Sequence, residues 1–481
     1  MKSNAKTKTR MKKTFLTLLI LTGLISCKQT NETAKLSVAH TKKSQKLDSL
    51  YNEMLKYGEF NGNVLIAEND TIILQKSYGV ADRENNELLI ENSIFNLASI
   101  TKQFTATAIY ILVKEGKLSL DDRMSKYIPE LDFYKEITIN HLIHHTSGLP
   151  DYMRLLDEKG DKSKIATNDY VIELFAKEKP KLDFDPNEKW DYSNTGYLLL
   201  ASIIERVSNK PYGKFLKEKI FNPLEMNNTN VLFIYKDSLE IDNLALGYTT
   251  DSTGIYVGHS DYAKSFDGVY GQGRMYSTTS DLYKWDRGVK NNKILSEKDT
   301  KSIFSNSKLN SEENSDYAFG WFLNHYEDYG DIAFHSGGWA GYITYIEKHF
   351  DEDKTIIILQ NNGNATEKTK IPIENTRRIL YDQPIEHTLR LPVETLQKYA
   401  GIYIYEKGNE TEVLFKDNSL WAVINPEVKL ELLPVTETKF IVDGFRPEVA
   451  YEFILDKSSE VEKVRVQQPE QGIDQTAIIQ K

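Results

Sequence analysis

The sequence has a single cysteine, Cys27, in 481 residues. No disulfide can form within one chain, so the fold must rest on buried apolar surface rather than on covalent cross-links. There is also no apolar run of the roughly 20 residues that a bilayer-spanning helix needs. Positive charge is in the minority: 60 Lys and Arg face 70 Asp and Glu, for a formal net charge of −10. The basic residues do not gather into a stripe in the body of the chain, which argues against a nucleic-acid partner. Gly271-x-Gly273 lacks a third glycine and a preceding strand, so it is no dinucleotide fingerprint. His-Glu-x-x-His is missing as well. His141, His144 and His145 are therefore read as packing or hydrogen-bonding around the Gly148-Leu149-Pro150 turn, not as zinc ligands. No metal and no cofactor are expected.

What is present begins with the N-terminus. MKKTFLTLLILTGLISC carries lysines, an apolar run from Phe15 to Ile25, and then Cys27, the pattern of a secretory leader. Its end, Leu24-Ile25-Ser26-Cys27, resembles the bacterial lipobox, which implies lipidation of Cys27 and attachment to a membrane at the cell envelope. Residues 1–26 then form a lipoprotein signal peptide. Their removal takes away six Lys/Arg and no Asp/Glu, moving the formal charge from −10 to −16. Residues 27–45 are polar and aperiodic and read as a flexible tether.

From Leu47 the spacing turns helical. Two β-rich runs, Val64–Ala67 and Thr71–Gln75, follow as a hairpin across Glu68-Asn69-Asp70. Helical and loop signals fill the region from about 120 to 240. Three strand runs return at Ile332–His335, Gly341–His349 and Thr355–Gln360, followed by a helical run at Pro372–Tyr381. Strands at both ends with helices between them predict an α+β domain over 46–382, its largely antiparallel sheet drawn from both termini. Residues 383–390 read as a linker. Beyond it, over 391–481, seven short alternating segments predict a small all-β barrel or sandwich.

One stretch raises a chemical question. In FNLASITKQFTATAIYILV, Ser99 stands just ahead of apolar residues at helical spacing, and Lys102 follows three positions later. On a helix that spacing puts both side chains on one face. Ser99 is either an ordinary helix cap or a nucleophile with its base. A serine hydroxyl needs a base in reach, and a lysine qualifies only if burial or a nearby cation lowers its pKa. Ser-x-x-Lys recurs at Ser3–Lys6, in the leader, and at Ser305–Lys308, beside the polar stretch NSKLNSEENS; both are expected to be inert.

SITKQFTATAI resembles the active-site helix of the serine β-lactamase and penicillin-binding protein superfamily. The closer resemblance is to the branch with class C β-lactamases, DD-carboxypeptidases, D-aminopeptidases and related esterases. Two further motifs of that branch follow in order: Tyr192-Ser193-Asn194 as Tyr-x-Asn, and His335-Ser336-Gly337 as His-x-Gly. HHTSGLPDY (144–152) and GQGRMYSTTSDL (271–282) resemble framework stretches of the same branch. Each motif taken singly has an ordinary reading: Tyr192 as a core aromatic, Asn194 as a cap, His335 as a strand histidine. The ordered set, spanning roughly 45–382, is what carries the resemblance.

That resemblance implies a β-lactamase/transpeptidase-like fold and an acyl-enzyme on Ser99. Lys102 and Tyr192 would share the serine proton, with Tyr192 as base if Lys102 lowers its pKa. Asn194, His335 and Gly337 would bind substrate, and the N–H groups of Ser99 and Gly338 would form the oxyanion hole. Having His335 where most β-lactamases carry lysine resembles some DD-peptidases and D-aminopeptidases. Peptides containing D-amino acids are thus the expected substrates. β-Lactams or esters are the alternative, and a catalytically silent binding or scaffold protein is the alternative of another class. Tyr399-Ala-Gly401-Ile-Tyr403 resembles the lipocalin-like domain appended to some members of the branch, and shows no chemistry of its own.

Overall fold

The structure is a computed structural model that describes residues 29–480 except 251–255, 258–260, 364–370, 386–389, 407, 417–418, 425–427 and 443–447. Cys27 and the leader lie outside the described residues, and no described helix is long and apolar enough to cross a membrane. The chain divides into two compact units that part between Asp382 and Gln383.

The first unit opens with a helix over Gln29–Lys56. This corrects the expectation of a tether over 27–45, because the chain is already helical from Gln29. No proline or glycine interrupts the stretch, and such residues are the ones that break helices. Its middle is also tied down: Lys43 Nζ lies 3.2 Å from Glu68, 3.3 Å from Asp382 and 2.7 Å from the Leu380 carbonyl.

The main sheet has six antiparallel strands: β1 (Gly62–Glu68), β2 (Thr71–Tyr78), β3 (Phe322–Tyr326), β4 (Gly330–Trp339), β5 (Tyr342–His349) and β6 (Lys354–Gln360). Their order is β3-β4-β5-β6-β1-β2. The β1–β2 turn works because Asn69 (φ +49) and Asp70 (φ +59) both adopt the left-handed conformation that a tight hairpin requires. β1 then pairs with β6 from Gly62↔Gln360 to Glu68↔Lys354, which closes the sheet from both ends of the unit. The sequence reading missed β3, an edge strand of mixed exposure without clean alternation. It also stopped β4 at His335, four residues short, since two consecutive glycines weaken any strand signal.

Helices cover the sheet and fill the region between its halves. The helix Thr101–Lys114 is buried along most of its length and packs against Asn194–Ser208. Asn194–Ser208 is in turn almost wholly buried through Ile204.

The second unit is a closed eight-stranded barrel: β7 (Gly401–Tyr405), β8 (Glu410–Lys416), β9 (Ser419–Val423), β10 (Lys429–Pro434), β11 (Lys439–Val442), β12 (Ala450–Leu455), β13 (Val461–Gln468) and β14 (Ile473–Ile479). Each strand pairs with the next, and β7 pairs with β14. Closure removes the sheet edges that would otherwise invite pairing with other chains. β14 is the strand that the seven-segment reading lacked; IDQTAII buries little besides Ala477 and so alternates poorly. Aromatic rings occupy the core, with Tyr399 and Phe453 stacked at 4.4 Å and Phe440 edge-on to Phe453 at 5.3 Å.

Candidate active site

Ser99 is not a helix cap. It occupies the middle of a 3-10 turn, Ala98–Ile100, that feeds the helix Thr101–Lys114, and neither element has a side-chain cap bond. The preceding residue, Ala98, has φ +47, a left-handed conformation that costs a non-glycine residue roughly 1–2 kcal/mol. Its surroundings hold it there. Asn96 Oδ1 accepts the Ala98 N–H at 2.8 Å, and Thr344 Oγ1 donates to the Leu97 carbonyl at 2.8 Å. Strain enforced by neighbours at one residue is a mark of functional sites. Here it turns Ser99 Oγ toward Lys102.

Lys102 is completely buried. Its Nζ lies 3.1 Å from Ser99 Oγ, 2.8 Å from Asn194 Oδ1 and 2.9 Å from the Gln272 carbonyl. All three partners are neutral, and among the described residues no carboxylate pairs with it. Burial therefore pushes its pKa well below the usual lysine value. A neutral amine has two N–H groups and one lone pair. The two carbonyl-type oxygens, of Asn194 and Gln272, suit the N–H groups, which leaves the lone pair for the Ser99 O–H.

Local folding explains why Asn194 is available. Ser193 caps the helix Asn194–Ser208 by accepting the Gly196 N–H at 3.2 Å. Asn194, one residue on, is released from capping and reaches Lys102. Tyr192 stands beside both, with its ring 4.8 Å from Lys102 Nζ. Burial raises the Tyr192 phenol, and a hydrogen-bonding interaction with Ser99 opposes that rise without cancelling it. The expectation that Lys102 lowers Tyr192 is thus corrected: the phenol is held protonated, and Lys102 is the group whose proton affinity is reduced.

Along β4 exposure alternates, with His335 and Gly337 buried and Ser336 and Gly338 exposed. This places the residues of the third motif differently from the expectation that His335 and Gly337 touch substrate. His335 is 1% exposed. Its Nδ1–H points to the Ser336 carbonyl at 2.5 Å, so Nε2 accepts from the Tyr317 hydroxyl at 3.1 Å. Burial, with Lys102 adding to it, lowers its pKa to about 3, so the ring is neutral. Gly337 faces the serine turn. A Cβ there would lie 2.6 Å from the Leu97 carbonyl oxygen and 3.0 Å from the Ser99 nitrogen. Gly338 faces the other way, and a Cβ on it would meet nothing within 4 Å.

Ser99, Asn194, Gln272 and Gly338 line one open cleft with about 460 Å³ of empty space, and Tyr152, Phe266 and Trp339 contribute to its walls. Phe266 stands edge-on to Trp339 at 5.9 Å and to Tyr152 at 6.3 Å. Sequence reasoning missed the supports: the Gln272 carbonyl, Asn96, Thr344 and Tyr317. A backbone carbonyl leaves no signal in residue type, and Thr344 and Tyr317 are distant in sequence from what they hold. Asn96 is only two residues from Ala98, but nothing in its residue type marks it as the brace of a strained turn.

The remaining candidates disperse. His141 Nδ1 accepts the Thr138 N–H at 3.3 Å, His144 Nδ1 pairs with the Asn140 carbonyl at 3.0 Å, and His145 Nδ1 accepts the Ser193 N–H at 3.0 Å. Among the described residues no group of three or more His, Cys, Asp or Glu is arranged to hold a metal ion. Ser305 and Lys308 bond to the separate carbonyls of Lys301 and Glu312 on the surface.

Residues 47–378 match the family model described as Beta-lactamase. The chain belongs to the beta-lactamase family. Within it the chain is 35% identical to Penicillin-binding protein 4* of Bacillus subtilis over 446 residues, which take in 88% of this chain and 99% of that one. Among solved structures, the octameric penicillin-binding protein homologue from Pyrococcus abyssi aligns with a TM-score of 0.66 at 24% identity, over 90% of this chain and 99% of that one. The D-amino acid amidase of Ochrobactrum anthropi aligns with a TM-score of 0.58 at 23% identity, over 71% and 97%. At these identities the solved structures share the fold. Family membership places the chain among penicillin-binding-protein-like serine hydrolases.

Proposed function

We propose that the protein is an exported serine hydrolase that cleaves amide or ester bonds through a Ser99 acyl-enzyme, acting on peptides that contain D-amino acids. The observation that carries this reading is Lys102, a buried amine with only neutral partners, 3.1 Å from a serine hydroxyl. Such an amine is expensive to bury and serves no ion pair. It is suited to general-base work near neutral pH.

In the proposed reaction Lys102 Nζ takes the Ser99 proton while Oγ bonds to the substrate carbonyl carbon. The N–H groups of Ser99 and Gly338 receive the oxyanion, each donor worth about 3 kcal/mol in such sites. Tyr192, protonated, gives its proton to the leaving nitrogen or oxygen and is refilled from Lys102. The carbonyl–leaving-group bond breaks, leaving an ester on Ser99, and water then hydrolyses that ester along the reverse proton path. β3 covers β4 only along Gly330–Phe334; past it, β4 runs on beside the serine turn, where an extended substrate would lie. Fold kinship with a D-amino acid amidase supports D-configured substrates. The leader and Cys27 support attachment to the cell envelope through lipid.

The test is intact mass after incubation with a penicillin, a D-peptide amide and a p-nitrophenyl ester, comparing residues 28–481 with the same protein carrying Ser99→Ala. Turnover of, or a covalent adduct with, at least one of these in the wild type only is the expected result. A lasting penicillin adduct would mark a DD-peptidase, and rapid penicillin loss a β-lactamase. Silence toward all three would overturn the enzyme reading in favour of a scaffold.

A further inference from the structure

The stretch His144-His145-Thr146-Ser147-Gly148 has no part in the reaction just described, yet it is almost completely buried beside it. It runs along the loop that delivers Tyr192 and accepts three backbone bonds from it. Asp183 N–H donates to the Gly148 carbonyl at 2.9 Å, Asn187 N–H to the Thr146 carbonyl at 2.8 Å, and Asp191 N–H to the His145 carbonyl at 2.9 Å. Gly148 has φ +71, and a Cβ there would sit 2.0 Å from the Phe184 carbonyl oxygen, so the two segments meet backbone to backbone.

His145 adds a contact that the others lack. Its carbonyl takes the N–H of the residue before Tyr192, and its imidazole Nδ1 takes the N–H of the residue after, Ser193, at 3.0 Å. Its ring lies 4.4 Å from the Tyr192 ring. One residue therefore grips Tyr192 on both sides along the backbone and across its face. The residue is 0% exposed and holds φ +59, a conformation that a non-glycine residue adopts only under constraint.

The grip has a chemical condition. Nδ1 accepts, so the single ring proton sits on Nε2. Burial is the main force against a positive imidazole here, and the neighbouring Lys102, His335 and His144 act in the same direction. A protonated ring would put an N–H opposite the Ser193 N–H and open the clamp.

We propose that His145 is a positioning residue for the reaction, acting as a neutral Nδ1 acceptor that fixes Tyr192 against Ser99 and Lys102. The proposal rests on the Ser99 hydrolase reading above. It does not require His145 to touch substrate, and it assigns the work to one ring nitrogen.

That assignment can be tested by atom replacement. Asparagine sets its Oδ1 close to where Nδ1 stands, whereas glutamine reaches toward the Nε2 position. Ester hydrolysis by His145→Asn should stay within about 10-fold of wild type. His145→Gln and His145→Ala should lose about 100-fold or more in kcat with KM nearly unchanged. Ser99→Ala in the same assay separates the two ideas. If it retains full activity, the hydrolase reading falls; if it is dead while His145→Ala is fully active, only the positioning role falls. Equal losses in the Asn and Ala variants at equal melting temperatures would also overturn it. Should the variants fail to fold, nitrogen NMR of wild-type protein labelled at histidine decides. The Nε2–H tautomer at His145 from pH 5 to 8 is expected, and an Nδ1–H or doubly protonated ring would refute the proposal.

Discussion

The strands β4 and β5 carry buried polar chemistry at both ends, and the two ends are built on opposite principles. At the end remote from Ser99, every buried charge has a partner of opposite sign. Lys348 Nζ lies 2.8 Å from Asp286, which also accepts from Arg287 and Thr355. Glu347 accepts from Arg377 at 2.9 and 2.5 Å and from His349 at 2.8 Å. At the Ser99 end, Lys102 is buried as deeply and meets only neutral oxygens. Matched charges hold elements together. An amine with no opposite charge is costly to keep buried, and is retained for what it does to a proton.

The comparison breaks or stands on two lysines. Lys102→Met should lower kcat/KM by about 10³-fold, within the range of general-base contributions. Its melting temperature should be unchanged or higher. A lysine whose folded pKa lies below its unfolded value costs stability at every pH beneath the unfolded value, and methionine removes that cost. In the wild type, kcat/KM should rise with pH through the Lys102 pKa, well below the usual lysine range, because only the neutral amine accepts the serine proton. Lys348→Met should do the reverse. It leaves Asp286 buried with one cation fewer, at a cost of about 3 kcal/mol in urea unfolding, while kcat per folded molecule is unchanged. Equal destabilisation by the two substitutions would end the distinction.

The paired end should also declare itself in acid. Burial would raise Glu347, but Arg377 and His349 outweigh it and hold the carboxyl at about 2. A depressed carboxyl contributes stability above its unfolded pKa and loses it as pH falls through the folded value. Urea midpoints should therefore drop between about pH 5 and pH 2, and Glu347→Gln should flatten that drop. The expected difference is on the order of 3 kcal/mol at neutral pH. A variant with the same acid profile as the wild type would show that the Glu347–Arg377 pair carries no such linkage.

These two ends differ too in how much of them the sequence discloses. The motifs Ser99-x-x-Lys102, Tyr192-x-Asn194 and His335-x-Gly337 are legible because nucleophile, base and close approach each demand particular residue types. The strands are legible where an apolar run fills both faces, as in Thr355–Gln360. The paired end is not: Asp286, Lys348, Glu347 and Arg377 are ordinary charged residues until the sheet brings them together, and nothing local marks them as buried. The same blindness hid Thr344 and, although His145 was read as a packing or hydrogen-bonding residue, hid its contacts with Ser193 and Tyr192, which are long-range. It also misplaced His335, since strand alternation decides which neighbour in a motif faces the cleft. The expectation set His335 and Gly337 against substrate, whereas of His335, Gly337 and Gly338 it is Gly338 that lines the cleft.

That alternation supplies the smallest and sharpest contrast. Gly337 and Gly338 are adjacent and chemically identical, and a methyl group on each would point to opposite faces of β4. At 337 it would lie 2.4 Å from Thr344 Oγ1 and 2.6 Å from the Leu97 carbonyl oxygen. These two atoms are bonded to each other at 2.8 Å and anchor the serine turn. Gly337→Ala should therefore push the Ser99 N–H out of line, lowering kcat by about 100-fold, the scale of one lost oxyanion donor, and lowering the melting temperature as well. At 338 the methyl meets no protein atom within 4 Å. Gly338→Ala should leave stability within about 0.5 kcal/mol of wild type and raise KM, because the space it fills is the cleft that substrate would occupy. If Gly338→Ala proves the less stable of the two, the inner and outer faces of β4 have been assigned the wrong way round. The oxyanion role given to the Gly338 N–H would then fall with them.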